Sequence, residues 1–216
     1  MIYEERRTRL RQGANEAYAR LSREQTWPAL EARGVRVLCL LSGLIGDPAT
    51  AQIEITRYAD LGAWAAAQAV AREGRAELVE RESVRLLRAI SARPKHSLPV
   101  ADHRPVYGYR RFFIRPGTLE EFAHRSEEGV WPRFEAFGCA ILGLWTTVAT
   151  TDPQEVVLLT GYNGPGHWEA TRGALTMPEG YDRAACDRAR EIGAGRGRLT
   201  LTSWVRLMRA VYVEGA

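Results

Sequence analysis

Two copies of one small α+β unit, joined head to tail, are the fold this sequence predicts. Three observations lead there. Residues 2–68 match residues 106–172 without a gap at a shift of 104, the block Val84-Arg-Leu-Leu-Arg-Ala-Ile90 returns as Val205-Arg-Leu-Met-Arg-Ala-Val211 at a shift of 121, and each copy alternates extended and helical patterns in the same order. Within the first match Tyr3 meets Tyr107, Arg6-Arg7 meets Arg110-Arg111, Trp27-Pro28 meets Trp131-Pro132, Tyr58 meets Tyr162 and Trp64 meets Trp168. Chance does not keep two tryptophans, a Trp-Pro pair and a double arginine in register.

Each element has a local reason. Ile2 to Leu10 and Val106 to Ile114 are rich in aromatic and branched residues and are followed by Gly13 and Gly117, so both read as first strands. Thr118-Leu-Glu-Glu121 has the spacing of a capping box and predicts a helix start, with Phe122, Ser126, Val130 and Phe134 as its partly apolar stripe. Pro132 predicts a bend after Trp131, because a proline cannot donate to the preceding turn. Val35 to Leu41 with Ile53 to Tyr58, and Cys139 to Trp145 with Val156 to Tyr162, read as strand pairs around Gly-Asp-Pro and Thr-Asp-Pro turns. A second helix starts near Asp60 and near Asn163 or Gly164, and the Val-Arg-Leu block is the fourth strand.

The order β-α-β-β-α-β is the ferredoxin-like unit. Its sheet carries helices on one face only, yet Val-Leu-Cys-Leu-Leu (37–41) and Val-Val-Leu-Leu (156–159) are apolar throughout, so the bare face needs a cover. The expectation is two tandem ferredoxin-like βαββαβ repeats packed sheet to sheet into a barrel-like core: residues 1–91 the first repeat, 92–105 a proline-rich linker, 106–216 the second. The two shifts differ by 17, which places an insertion of that length in the second repeat, at about residues 173–199. That segment reads as a Met-Pro-Glu-Gly-Tyr stretch, a short helix from Asp182 to Glu191 and a Gly-Ala-Gly-Arg-Gly loop, either a hinged lid near Trp168 or a surface excursion without a role.

Composition excludes several classes. The 216 residues suffice for two domains, and 45% hydrophobic with 26% charged content is that of a globular chain. A net charge of +4 is spread among acids rather than clustered, so no nucleic-acid partner is expected. The basic residues are nearly all arginine, as in a bacterial protein from a GC-rich genome. Cys39, Cys139 and Cys186 are far apart, which suggests neither a disulfide framework nor a metal site. The start lacks a signal-peptide pattern and the longest apolar run is too short for a membrane span, so a cytoplasmic protein without a membrane partner is expected.

The opening Met-Ile-Tyr-Glu-x-Arg, Gly13 after the first strand, and Tyr58-x-Asp60-Leu61 before the second helix resemble NIPSNAP domains of the dimeric α+β barrel superfamily. The second copy keeps Val-Tyr-x-x-Arg (106–110) and Arg-Pro-Gly (115–117) but has Tyr162-Asn-Gly-Pro165 where an acidic cap and Leu would stand. The resemblance implies an internal pseudo-dimer, on which a further homodimer could form. It also implies a choice between a cofactor-independent oxygenase, cyclase or isomerase acting on an apolar or aromatic metabolite and a non-catalytic small-molecule-binding or interaction protein.

The candidate site residues follow from position. Arg6 and Arg110 lie in strands expected to be buried, where a guanidinium either joins an ion pair with Glu4 or Glu54 or anchors an anion or carbonyl in a pocket. Tyr58 and Trp64 in the first copy, and Tyr162 and Trp168 in the second, form aromatic groups at a mouth between helix and sheet, able to line a ligand pocket or fill a core. His167 and Glu169 flank Trp168 where the first copy has Ala63 and Ala65. His167 is therefore a candidate acid or base beside Arg110, the alternative being an ordinary first-turn residue. Glu4, Glu54 and Arg57 become Gly108, Leu158 and Gly161, which places the working pocket in copy two. Neither a cofactor nor a metal is expected.

Overall fold

The computed structural model describes residues 1–96, 98–149, 151–172, 180 and 182–214. In the first repeat, β1 (Ile2–Leu10) leads into α1 (Asn15–Leu21), a π-turn (Ser22–Thr26) and α2 (Trp27–Glu31). Strands β2 (Arg36–Ile45) and β3 (Ala51–Tyr58), helix α3 (Leu61–Arg72) and β4 (Val79–Ala89) complete it. The second repeat runs through β5 (Val106–Ile114), α4 (Leu119–Arg125), a π-turn (Ser126–Val130) and α5 (Trp131–Ala136). It continues with β6 (Ala140–Thr147), β7 (Gln154–Tyr162), α6 (Pro165–Ala170), α7 (Arg183–Leu199) and β8 (Thr200–Val213). Element for element the starts repeat at the shift read from sequence: β5 begins at 106 against 2, α4 at 119 against 15, β6 at 140 against 36, and α6 at 165 against 61. The last strand begins at 200 against 79, the larger shift.

In the first repeat β1 lies between β3 and β4, antiparallel to both, and β3 pairs with β2, giving the order β4-β1-β3-β2. The second has the equivalent order β8-β5-β7-β6. This is the ferredoxin-like arrangement. A register shift falls between Val37 and Cys39 and again between Ile141 and Gly143, so even the strand irregularity was duplicated.

The Trp-Pro pairs have a specific consequence. Pro28 and Pro132 lack the N–H that a regular helix would use, and the chain widens by one residue just ahead of each. The amide of Trp27 donates to the carbonyl of Ser22, and that of Trp131 to Ser126, five residues back in each case. The helix then resumes with proline in its first turn. The bend expected after Trp131 thus occurs before it, as a π-turn. The capping box expected at Thr118 is absent: its hydroxyl donates to the carbonyl of Arg115 at 2.7 Å, and no side chain caps the helix. Asp60 does cap α3, accepting from the amide of Ala63 at 2.8 Å, and Asp182 caps α7 through Ala185 at 2.9 Å.

The insertion requires the largest correction. Of the segment 173–199, residues 173–179 and 181 lie outside those described, and the remainder is a single helix that extends through Gly193, Gly195 and Gly197 to Leu199. Over residues 193–197 the chain is helix, and the glycine-rich loop and hinges expected there are absent, while the Met-Pro-Glu-Gly-Tyr stretch lies largely outside the described residues. Glycine is a poor helix former, but here packing overrides propensity. A Cβ built on Gly129 would lie 2.6 Å from the backbone nitrogen of Gly193, and one on Gly195 would lie 2.1 Å from the Arg125 guanidinium. The glycines let α7 lie against α4 and its π-turn at close range, with Cys186 and Ala189 buried beside them.

By compactness the chain divides into one unit of Met1–Arg88 with residues 208–214 and another of Ala89–Leu207. In the first unit, helix and sheet enclose Leu10, Tyr18, Trp27, Leu30, Val37 and Tyr58. In the second they enclose Phe112, Ile114, Phe122, Trp131, Ile141 and Leu144. Among the described residues, no helix is long and apolar enough to cross a membrane.

Candidate functional site

The face of β1 that carries Arg6 turns toward the helices, together with Glu4 and Thr8, while Arg7 turns to the other face and pairs with Glu5 at 2.5 Å. Arg6 is almost fully buried. It holds Glu4 at 2.7 Å, also pairs with Glu82, and donates to Gln68 at 3.2 Å. Glu4 in turn accepts from the indole of Trp64 at 2.6 Å and from Gln68 at 3.0 Å. Glu54 accepts from the indole of Trp27 at 3.1 Å, and Arg75 sits 3.9 Å from Glu54 and 3.7 Å from Glu82. Burial alone would lower the affinity of Arg6 for its proton, but the charges of Glu4, Glu82 and Glu54 outweigh it and raise the pKa. Of the two open readings for Arg6, the structure has the ion pair, and Tyr58 and Trp64 belong to the same core.

The second repeat has the same frame with different occupants. Gly108, Leu158 and Ser203 stand where Glu4, Glu54 and Glu82 would be, and Arg172 stands at the position of Gln68. Between sheet and helices lies a cavity of about 60 Å³ lined by Arg110, Arg172 and Arg196 together with Trp131, Phe134, Thr160, Tyr162, Val205 and other apolar residues. Among the described residues no acidic side chain lines it. Arg110 lies over the ring of Phe112 at 5.7 Å, and Arg196 lies over Phe112 and Phe122 at 5.1 and 5.6 Å. Arg172 extends over Phe134 and Trp168 at 5.4 and 5.2 Å. These aromatic faces take the place of carboxylates, and they compensate a charge only in part.

The electrostatics invert accordingly. Burial and the neighbouring charge of Arg172 lower the pKa of Arg110, the counterpart of the raised Arg6. Arg196 is pushed down to about 10 by burial, then by Arg110 and Arg172. Tyr162 is pushed up to about 12, chiefly by burial, so its hydroxyl stays protonated and acts as a donor. The indole N–H groups of Trp131 and Trp168, whose counterparts donate to Glu54 and Glu4, find no hydrogen-bond partner. Trp131 is 4% exposed, and its side chain forms part of the cavity wall. Arg172 donates to the Thr171 hydroxyl at 3.2 Å and Arg196 to that of Ser126 at 3.5 Å, so the cavity presents cations with neutral acceptors and, among the described residues, no carboxylate.

Arg110 and Tyr162 converge on this cavity as expected. His167, Trp168 and Glu169 do not line it. His167 Nδ1 accepts from the amide of Asn163 at 3.0 Å, and its Nε2 is 2.7 Å from the carbonyl of Phe137, so both ring nitrogens are engaged with backbone. This makes it a first-turn capping residue of α6, with no free nitrogen for proton transfer. Glu169 is exposed, and Trp168 packs under Arg172. Sequence reasoning missed Arg172, Arg196 and Trp131. The first was legible as an arginine opposite Gln68, whereas Arg196 was hidden within a glycine-rich run that read as loop. Among the described residues, no group of three or more His, Cys, Asp or Glu is placed to hold a metal ion.

No family profile matches the chain, and no curated protein is a significant match. Solved structures do match along the whole length. A provisionally named monooxygenase of Lactobacillus acidophilus aligns at a TM-score of 0.67 and 11% identity, over 99% of this chain and 95% of its own. One from Fusobacterium nucleatum aligns at 0.61 and 12%, over 99% and 93%, and an anthrone oxidase-like protein at 0.54 and 10%, over 98% and 91%. NIPSNAP family proteins from Burkholderia xenovorans and Agrobacterium tumefaciens also match, over 46% and 52% of this chain, at TM-scores of 0.34 and 0.36. At such identities the likeness is one of fold. The fold is that of two tandem ferredoxin-like repeats.

Proposed function

We propose that this chain is a small-molecule-binding protein with one working site, the arginine-lined cavity of the second repeat, and that the first repeat is its structural counterpart. The observation that carries this is the contrast at equivalent positions. Where repeat one fills the space between sheet and helices with Arg6, Glu4, Glu54, Glu82 and Arg75, repeat two leaves a cavity walled by Arg110, Arg172 and Arg196. Binding is favoured over acid–base catalysis because the cavity offers no free base. Tyr162 keeps its proton and His167 has both nitrogens occupied. The catalytic reading, a cofactor-independent oxygenase, cyclase or isomerase, draws its support from the full-length likeness to provisionally named monooxygenases, and fold alone does not carry function. In that reading the arginines would stabilise an oxyanion developing on the substrate. The three free, buried thiols support a cytoplasmic setting.

Untargeted mass spectrometry of small molecules that co-purify with the protein tests the proposal. The expected result is a compound enriched with the wild-type chain and lost from Arg110→Met. Enrichment of the same compounds with both proteins would sink it. Turnover of the recovered compound by the purified protein would move the assignment to the catalytic reading.

A further inference from the structure

We propose, resting on the binding site just described, that the ligand of the second repeat is an oxygen acid whose anionic head group lies among Arg110, Arg172 and Arg196 and accepts the indole N–H of Trp131. The argument is one of missing charge. Arg110 and Arg196 lose hydration by facing the cavity, Arg172 raises the cost of both charges, and no carboxylate of the described residues offsets them. In the first repeat the same frame solves the same problem with three carboxylates at Glu4, Glu54 and Glu82. The second repeat lacks all three acids while it keeps Arg110 and Arg196 at the positions of Arg6 and Arg75 and has Arg172 in place of Gln68. What it lacks is a negatively charged acceptor supplied from outside.

The donor pattern narrows the class. Trp131 and Trp27 are equivalent, and Trp27 donates to a carboxylate oxygen of Glu54 at 3.1 Å. With Leu158 in the place of Glu54, the indole of Trp131 is buried and unpartnered at the cavity wall. A ligand oxygen where the Glu54 carboxylate would lie satisfies it and faces Arg196, the counterpart of Arg75, which lies 3.9 Å from Glu54. Guanidinium forks suit the paired oxygens of carboxylates and phosphates. At about 60 Å³ the cavity is far below the size of a drug-like pocket, so it takes a small anion or the charged end of a longer molecule. Phe112, Phe134 and Val205 suit an apolar stem next to that charge.

The test titrates the full-length protein with benzoate, inorganic phosphate and the neutral benzamide, by calorimetry and by thermal midpoint. Benzoate or phosphate is expected to bind and raise the midpoint, benzamide to do neither, and the better of the two anions distinguishes a carboxylate from a phosphate ligand. Arg196→Met and, independently, Arg172→Met should weaken the anion at least tenfold while leaving the ligand-free midpoint unchanged or higher. Leu158→Glu, which restores the missing internal carboxylate, should abolish anion binding altogether. Equal binding of benzamide and benzoate, anion binding unaffected by both arginine variants, or no response to either anion overturns the proposal. The first of these outcomes would leave the small-molecule site standing. The last, combined with no co-purifying compound, would remove both.

Discussion

The interiors of the two repeats are one design carried to opposite ends. At Arg6 the surrounding acids raise the proton affinity of the guanidinium; at Arg110, in the same strand position, burial and a second arginine lower it. A buried charge is not in itself evidence of function. What the partners around an arginine decide is whether its charge is compensated, and here both situations occur within a single chain.

The largest expected effect lies at these two arginines. Arg6→Met leaves the buried Glu4 without its cation and should cost about 3–5 kcal/mol, whereas the equivalent Arg110→Met removes an uncompensated charge and should be neutral or stabilise by about 1 kcal/mol. Urea denaturation of the two variants side by side measures it; equal losses would break the comparison. The helices supply a second contrast. Gly129→Ala forces a methyl against the backbone of Gly193 and should destabilise by about 1–3 kcal/mol, while Gly197→Ala, with nothing within 4 Å of the new carbon, should gain about 0.5–1 kcal/mol. A gain at both positions would mean that α7 does not pack as described. The smallest effect is at His167. His167→Ala removes a helix-start hydrogen bond at a cost of about 0.5–2 kcal/mol, and benzoate affinity should stay at the wild-type value. A selective loss of affinity would restore that histidine to the site.

Much of the fold was legible because duplication supplies an internal control. A shift of 104 that aligns Trp-Pro, Tyr and double Arg also aligns the strands and helices, down to the irregularity near Cys39 and Gly143. Arg110 and Tyr162 were legible as residues that would face the same space for a similar reason: their strand positions recur while the acids around them do not. The rest depended on contacts between segments distant in sequence. The run from Gly193 to Gly197 has the composition of a loop, and only the helix lying against it, with Gly129 facing Gly193, makes it helical. Arg196 was invisible as long as its backbone was misread. His167 looked like a catalytic group because nothing in the sequence shows that the amide of Asn163 and the carbonyl of Phe137 would engage both its nitrogens.

The compact units do not end where the repeats end. Residues 208–214, most of them the closing half of the last strand, belong with the first unit, where the amide of Glu214 donates to the carbonyl of Leu38 at 2.8 Å and its carboxylate meets Arg36 at 3.3 Å. Ala89 and Ile90 belong with the second, where the amide of Ile90 donates to Leu144 at 3.1 Å. Scission at the linker would therefore strip each half of residues that complete it.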